Sequence, residues 1–135
     1  MSKTGNTGWI GVDLDGTLAH YDGWKGIEHI GEPIQPMLDR VKKWLARGER
    51  VKIFTARVDG GQVALAMGDQ NGEAHRNVDA VRGHIEAWLE KHVGKKLEIT
   101  NVKDYGMIEL WDDRAVQVIP NTGQTIEESL RVVKA

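Results

Sequence analysis

Trp9-Ile10-Gly11-Val12-Asp13-Leu14-Asp15-Gly16-Thr17 is the stretch on which the reading of this chain turns. Trp9 to Asp13 reads as a first strand, apolar enough to be buried. A strand has a side-chain period of two, so Asp13 and Asp15 share one side as the strand ends, while Leu14 points the other way into a core. Two carboxylates held that close repel each other without a cation, and one is pushed toward its protonated form. The arrangement suits a bound divalent metal or a nucleophile beside a proton carrier. Gly16 allows a sharp turn and Thr17 adds a hydroxyl just beyond it. A chance match to Asp-x-Asp-Gly-Thr in a chain this long is on the order of one in a thousand. The competing reading is a strand that ends in a polar turn capped by aspartates, and the rest of the chain decides between them.

A length of 135 residues suits one domain with a real core. We expect residues 1–8 to be a flexible tail and residues 9–135 a single domain. The sequence is 40% hydrophobic and 28% charged, as in ordinary globular proteins. A net charge of −2 supplies no broad basic field, so tight binding of duplex DNA is not expected. There is no Cys, hence no disulfide and no thiol nucleophile. No run resembles a signal peptide or a membrane span, and a cytoplasmic protein with no membrane partner is expected.

After Thr17 the segment Leu18 to Glu32 has neither helical nor strand period and carries Tyr21 and Trp24. It is a candidate flap, or a segment whose aromatics pack on a helix. Pro36 fits the first turn of a helix in which Met37, Leu38, Val41, Trp44 and Leu45 form the apolar face, with Gly48 as its stop. Val51 to Phe54 is a second strand, ending at Thr55, with Ala56 and Arg57 next. A hydroxyl and a forked guanidinium at one strand end suit phosphate oxygens. Val58 to Glu73 is too long for a plain connector and reads as a short helix or a lid. A second helix over about Ala74 to His92 shows Val78, Val81, Ile85, Trp88 and Leu89 on one face. Leu97 to Thr100 and Met107 to Trp111 are further strands. The first leads to Lys103 and the second to Asp112-Asp113-Arg114. Val116 to Ile119 reads as an outer strand, and Thr125 with Glu128 as a capping box opening a last helix to about Val133.

Strands alternating with amphipathic helices imply an α/β fold with a parallel sheet, in which ligands sit at the carboxyl ends of the strands. Asp13, Asp15, Thr55, Lys103, Asp112 and Asp113 all stand at or after such ends. Three or four carboxylates are what Mg²⁺ keeps while retaining waters and a substrate phosphate.

In these residues the chain resembles the haloacid dehalogenase-like phosphohydrolases. The match is the Asp13-x-Asp15-Gly16-Thr17 motif, a strand ending in Thr55, a lysine, and the acidic pair Asp112-Asp113. The resemblance implies a three-layer Rossmann-like parallel sheet. It makes Asp13 the nucleophile that becomes an aspartyl-phosphate, and Asp15 the general acid and base. Mg²⁺ would be held by Asp13, the backbone carbonyl of Asp15, and Asp112 or Asp113. Thr55 and Lys103 would bind the transferred group, with Gly16, Ala56 and Arg57 also on the substrate side. Lys95 or Lys96 are alternatives for the lysine, Lys103 being preferred because it follows a strand end. No segment is long enough for a cap domain, so an open site is expected. Thr55-Ala56-Arg57, the loop after it and Asp112-Asp113-Arg114 further resemble the phosphatase domain of polynucleotide kinase-phosphatases and small phage-type relatives. That likeness implies a nucleotide or a nucleic-acid end phosphate as substrate. A sugar phosphate phosphatase, a non-catalytic phosphate- or metal-binding regulatory domain, and a receiver-type phosphoacceptor are the alternatives. Motif order weighs against the last of these.

Overall fold

The computed structural model describes residues 8–59, 74–128 and 130. The elements run β1 (Trp9–Val12), α1 (Gln35–Ala46), β2 (Val51–Phe54), a 3₁₀ turn (Ala56–Val58), α2 (Ala74–His92), β3 (Glu98–Thr100) and β4 (Met107–Trp111). All strand pairs are parallel, in the order β3-β2-β1-β4. The α/β character with a parallel sheet is thus as expected. Every residue of β1 is buried, as befits a central strand covered on both faces.

The helices form where the apolar period places them. In α1, Pro36 occupies the first turn, and Met37, Leu38 and Val41 are buried. Arg47 caps the helix and Gly48 follows at φ +81°, a conformation that a side chain would strain. In α2, Val81, Ile85, Trp88 and Leu89 are buried. They pack with Ile10 and Val12 of β1, Val51 and Ile53 of β2 and the α1 face in one core, which also takes Leu14 and Leu18. Leu14 is fully buried, as its place between two aspartates requires.

Chain order fixes where a ligand can sit. From β1 the chain steps to its neighbour β2 and outward again to β3, then returns across the sheet to place β4 on the other side of β1. Successive connections therefore diverge at the β1/β4 boundary. In open parallel sheets a crevice opens at such a switch point, outside the carboxyl ends of the strands.

The outer strand expected at Val116 to Ile119 does not form. Its backbone turns on itself: Ile119 N–H donates to Gln124 O at 2.8 Å and Ile126 N–H to Gln117 O at 3.3 Å. What results is one antiparallel bridge, Val118 with Thr125, and not a ladder with β4. The alternation of apolar and polar residues that suggested a strand fits a small hairpin equally well. The capping box is present in both directions, with Thr125 N–H to Glu128 Oε2 at 3.2 Å and Glu128 N–H to Thr125 Oγ1 at 3.0 Å. The tail at residues 1–7, residues 60–73 of the expected lid and the end of the last helix lie outside the described residues. Among the described residues, no helix is long and apolar enough to cross a membrane.

Candidate functional site

The strand register carries the acidic residues to the switch point. Val12 pairs with Trp111, so Asp13 and Asp112 leave neighbouring strands at the same level, and Asp13 N–H donates to Trp111 O at 2.9 Å. Trp111 is held by α1: its ring meets Trp44 edge-on at 5.2 Å between centroids, and Arg40 lies over it. The next residues are placed by turns. Asp112 Oδ1 accepts from Arg114 N–H at 3.0 Å, and Asp113 Oδ1 accepts from Thr17 Oγ1 at 3.3 Å. Gly16, at φ +88°, lets the Asp113 carboxylate lie against the backbone; a Cβ there would stand 2.5 Å from Asp113 Oδ2.

Asp13, Asp112 and Asp113 each offer a carboxylate oxygen within 4.8 Å of the others. An octahedral Mg²⁺ with oxygens at about 2.1 Å holds adjacent ligands about 3 Å apart and opposite ones about 4.2 Å apart, so the three carboxylates would draw closer together to share one ion. The donor set is all hard oxygen, which suits a hard divalent cation such as Mg²⁺, Ca²⁺ or Mn²⁺ over softer metals. The electrostatics also fit a cation. Burial first, then a hydrogen bond with Asp113 and the negative charges of Asp112 and Asp113, push the Asp13 carboxyl up to about 7. Burial pushes Asp113 in the same direction, but hydrogen bonds with Asp13, its own backbone and Thr17 outweigh it and hold Asp113 below the usual carboxylate value. Burial and the neighbouring carboxylates thus favour the protonated form of Asp13 in the metal-free protein, and a metal ion bound there would displace that proton.

Asp15 goes elsewhere. Its carboxylate takes both arms of Arg57, Nε–Oδ2 at 2.7 Å and Nη2–Oδ1 at 2.9 Å. The expected convergence of Asp13 and Asp15 on one spot is therefore replaced by a fork, in which Asp13 faces the β4 acids and Asp15 faces β2. The reason is charge: a buried guanidinium one strand away is a better partner for Asp15 than three carboxylates. Arg57 is held in turn. Thr55, only 2% exposed, ends β2, and its Oγ1 accepts from Arg57 N–H at 3.2 Å, capping the 3₁₀ turn. That bond leaves the Thr55 hydroxyl proton free to donate.

The segment after Thr17 folds over Arg57. Its base is cinched by His20 N–H to Glu32 O and Ile34 N–H to Leu18 O, with Trp88 Nε1 of α2 donating to Gly31 O at 2.9 Å. Its tip bears Trp24, whose ring centroid is 5.0 Å from the Arg57 guanidinium carbon, and His29 O accepts from Arg57 Nη2 at 3.0 Å. Of the two readings of this segment, packing on a helix is not what Trp24 does: it lies over Arg57, and the segment covers that residue.

Lys103 is not brought to this cluster. It is exposed in the β3–β4 connection, and no hydrogen bond or ion pair joins it to Asp13, Thr55 or the acidic pair. The next residue, Asp104, accepts from Trp9 Nε1 at 2.9 Å and lies 4.0 Å from Lys52, which draws the connection toward the opposite end of β1. Lys96 pairs loosely with Glu90 at 3.9 Å, and Lys95 is exposed. Among the described residues, the basic side chain that pairs with one of the motif aspartates is Arg57. Sequence reasoning missed its pairing with Asp15 and the Thr17–Asp113 contact. The signal for the first was a guanidinium and an acid on neighbouring strand ends.

No family model, no curated protein and no solved structure matches the chain.

Proposed function

We propose that the protein is a divalent-metal-dependent phosphomonoester hydrolase of the haloacid dehalogenase-like kind, with the corresponding three-layer fold and a flap in place of a cap domain. The observation that carries this reading is the gathering of Asp13, Asp112 and Asp113 at the switch point, with Asp15 two residues on and oriented by Arg57.

In this proposal an Asp13 carboxylate oxygen attacks phosphorus as the bond to the leaving oxygen breaks, giving an aspartyl-phosphate. Both Asp15 oxygens accept from Arg57 here, so to protonate the leaving oxygen one of them would first release Arg57 and take up a proton from solvent; after giving it up, Asp15 takes a proton from the water that hydrolyses the acyl phosphate. Arg57 keeps the Asp15 carboxylate in one orientation through two parallel hydrogen bonds. Thr55 donates its hydroxyl proton to a phosphoryl oxygen. Asp13, Asp112 and Asp113 would hold Mg²⁺, with the backbone carbonyl of Asp15 as a further ligand, and Mg²⁺ there would neutralise oxygens that otherwise repel a carboxylate nucleophile. The substrate we favour is a nucleotide or a nucleic-acid terminal phosphate, which an open site admits. Lys103 serves as the phosphate-binding lysine only if the β3–β4 connection moves toward the site.

The test is steady-state phosphate release with and without Mg²⁺ on nucleoside monophosphates, 3′- and 5′-phosphorylated oligonucleotides and sugar phosphates. Mg²⁺-dependent turnover of a nucleotide or an end phosphate is expected. No release on any of them, with Mg²⁺ still bound, would replace the enzyme with a phosphate- or metal-binding module.

A further inference from the structure

The two faces of the Trp24 ring differ. One lies over Arg57, whose guanidinium carbon is 5.0 Å from the ring centroid. That guanidinium is itself held in place: Asp15 accepts from Nε and Nη2, and His29 O accepts from Nη2 as well. Among the described residues no second ring or cation stacks on Trp24, and the residue is 43% exposed. With Arg57 behind it, that exposure belongs to the other face and the ring edge.

An indole left half in water is common on protein surfaces, but this one is fixed in place and stands beside the candidate site. The neck of its segment is tied by His20 N–H to Glu32 O and Ile34 N–H to Leu18 O, and the ring rests on an arginine that does not swing. A second flat ring settling on such a face gives up little ordering entropy from the protein. The guanidinium behind the indole draws on its π electrons, which favours an electron-rich ring in front. Purine bases are rings of that kind, and bases stack on aromatic side chains whatever their sequence, since every base has a π face. Contacts lead from Trp24 to Arg57 and from Arg57 to Asp15, two residues from Asp13. A base on the outer face therefore stands on the β2 side, clear of the carboxylates gathered toward β4.

We propose that the outer face of Trp24 is a stacking position for a nucleobase, purines ahead of pyrimidines, and that it selects nucleotides over sugar phosphates. That the base belongs to the molecule being dephosphorylated rests on the phosphatase reading; that the ring holds a base does not. The base comes either from a free nucleotide or from the end of a strand.

The experiment uses full-length protein kept metal-free with EDTA. It is titrated with adenosine, with ribose and with the dinucleoside monophosphate of adenosine, none of which carries a phosphomonoester. The indole N–H signals are followed by NMR, the Trp24 signal being the one missing from Trp24→Phe. We expect that signal to move saturably with adenosine and to stay in place with ribose, while the other indole signals do not shift. Affinity for adenosine, read from the ligand's own signals, should fall by about fivefold or more in Trp24→Leu and stay within about threefold in Trp24→Phe, because a phenyl ring still stacks and an aliphatic chain does not. Binding of the dinucleoside by more than about twofold over adenosine assigns the base to a strand end, and equal binding assigns it to a free nucleotide. A Trp24 signal that adenosine does not move, one that ribose moves equally, or equal adenosine affinity in Trp24→Leu would overturn the proposal. Should Trp24→Leu fail to fold, the wild-type titration decides alone. Turnover is not read, so failure of the phosphatase reading and failure of base stacking are separate results.

Discussion

Asp13 and Asp15 stand two residues apart and meet opposite surroundings. On the β4 side, Asp13 faces two more carboxylates; on the β2 side, Asp15 is clasped by a buried arginine. The difference teaches that the Asp-x-Asp motif works as a fork and not as a single acidic patch. Where two titratable groups are given contrasting environments, their roles separate as well. The β4 side gathers negative charge that a cation would offset, and the β2 side has Arg57.

The largest effect should come from removing the acid on the β4 side. On the proposed phosphatase reading, Asp13→Asn is expected to lower Mg²⁺-dependent phosphate release by on the order of a thousandfold or more, since the nucleophile proposed there would have no substitute. The far-ultraviolet circular dichroism should be unchanged. Residual activity near wild type in a clean preparation would remove Asp13 from the nucleophile role.

The β4 side of the comparison predicts a pH dependence. In the metal-free protein Asp13 sits at about 7 against an ordinary value of 3.8. The folded state thus holds a proton that the unfolded state has released between those two values. Its contribution to stability is fully present below the lower value and is lost as pH rises through about 7. In EDTA the melting temperature should therefore fall over that window, and Asp13→Asn should flatten the dependence. Because a metal must displace the same proton, apparent Mg²⁺ affinity should drop by roughly tenfold per pH unit below the upper value. An affinity independent of pH across that range would mean that Asp13 is not a ligand.

The elements and the acids at the strand ends were legible in the sequence, the fork was not, and the limits are physical. The period-two alternation around Leu14 and the 3.6-residue period in α1 and α2 report burial directly, so those elements fell where expected. The acids at the ends of β1 and β4 were legible because a parallel sheet aligns its strand ends. Which acid faces which neighbour was not, because that depends on strand order. With β1 between β2 and β4, the two aspartates look to different sides. Lys103 fails for a related reason. Proximity to a strand end in sequence does not hold a chain at that edge when the following residues are pulled to the other end, as Asp104 is by Trp9. The supposed strand at Val116 to Ile119 shows the ambiguity of short alternating runs, which suit a local hairpin as well as a sheet edge.

A milder perturbation tests how closely Asp113 must approach. Gly16→Ala places a Cβ against the Asp113 carboxylate and forces an L-residue to φ +88°. The backbone strain is about 1–2 kcal/mol. Asp113 is exposed and free to swing out, so most of the protein should stay folded while Mg²⁺ affinity falls on the order of tenfold, as when a ligand loses its support. Calorimetric titration of Mg²⁺ checks this. An undiminished affinity would leave Asp13 and Asp112 as the sufficient pair.

The smallest effect belongs to the flap base, and it separates the two sides most cleanly. Trp88→Phe keeps an aromatic ring in the core but deletes the N–H that donates to Gly31 O. Loss of that bond should cost about 1 kcal/mol in urea unfolding. Gly31 lies so close to His20 O that no side chain fits between them, which means the two flap segments are pressed together even without the indole. The flap should therefore loosen without detaching, seen as faster amide exchange at His20 and Ile34, whose N–H groups bond across the base. Mg²⁺ affinity should not change, because no part of the acidic cluster touches this hydrogen bond. If it did change, the flap and the β4 acids would be one coupled unit, and the fork between Asp13 and Asp15 would divide geometry but not energetics.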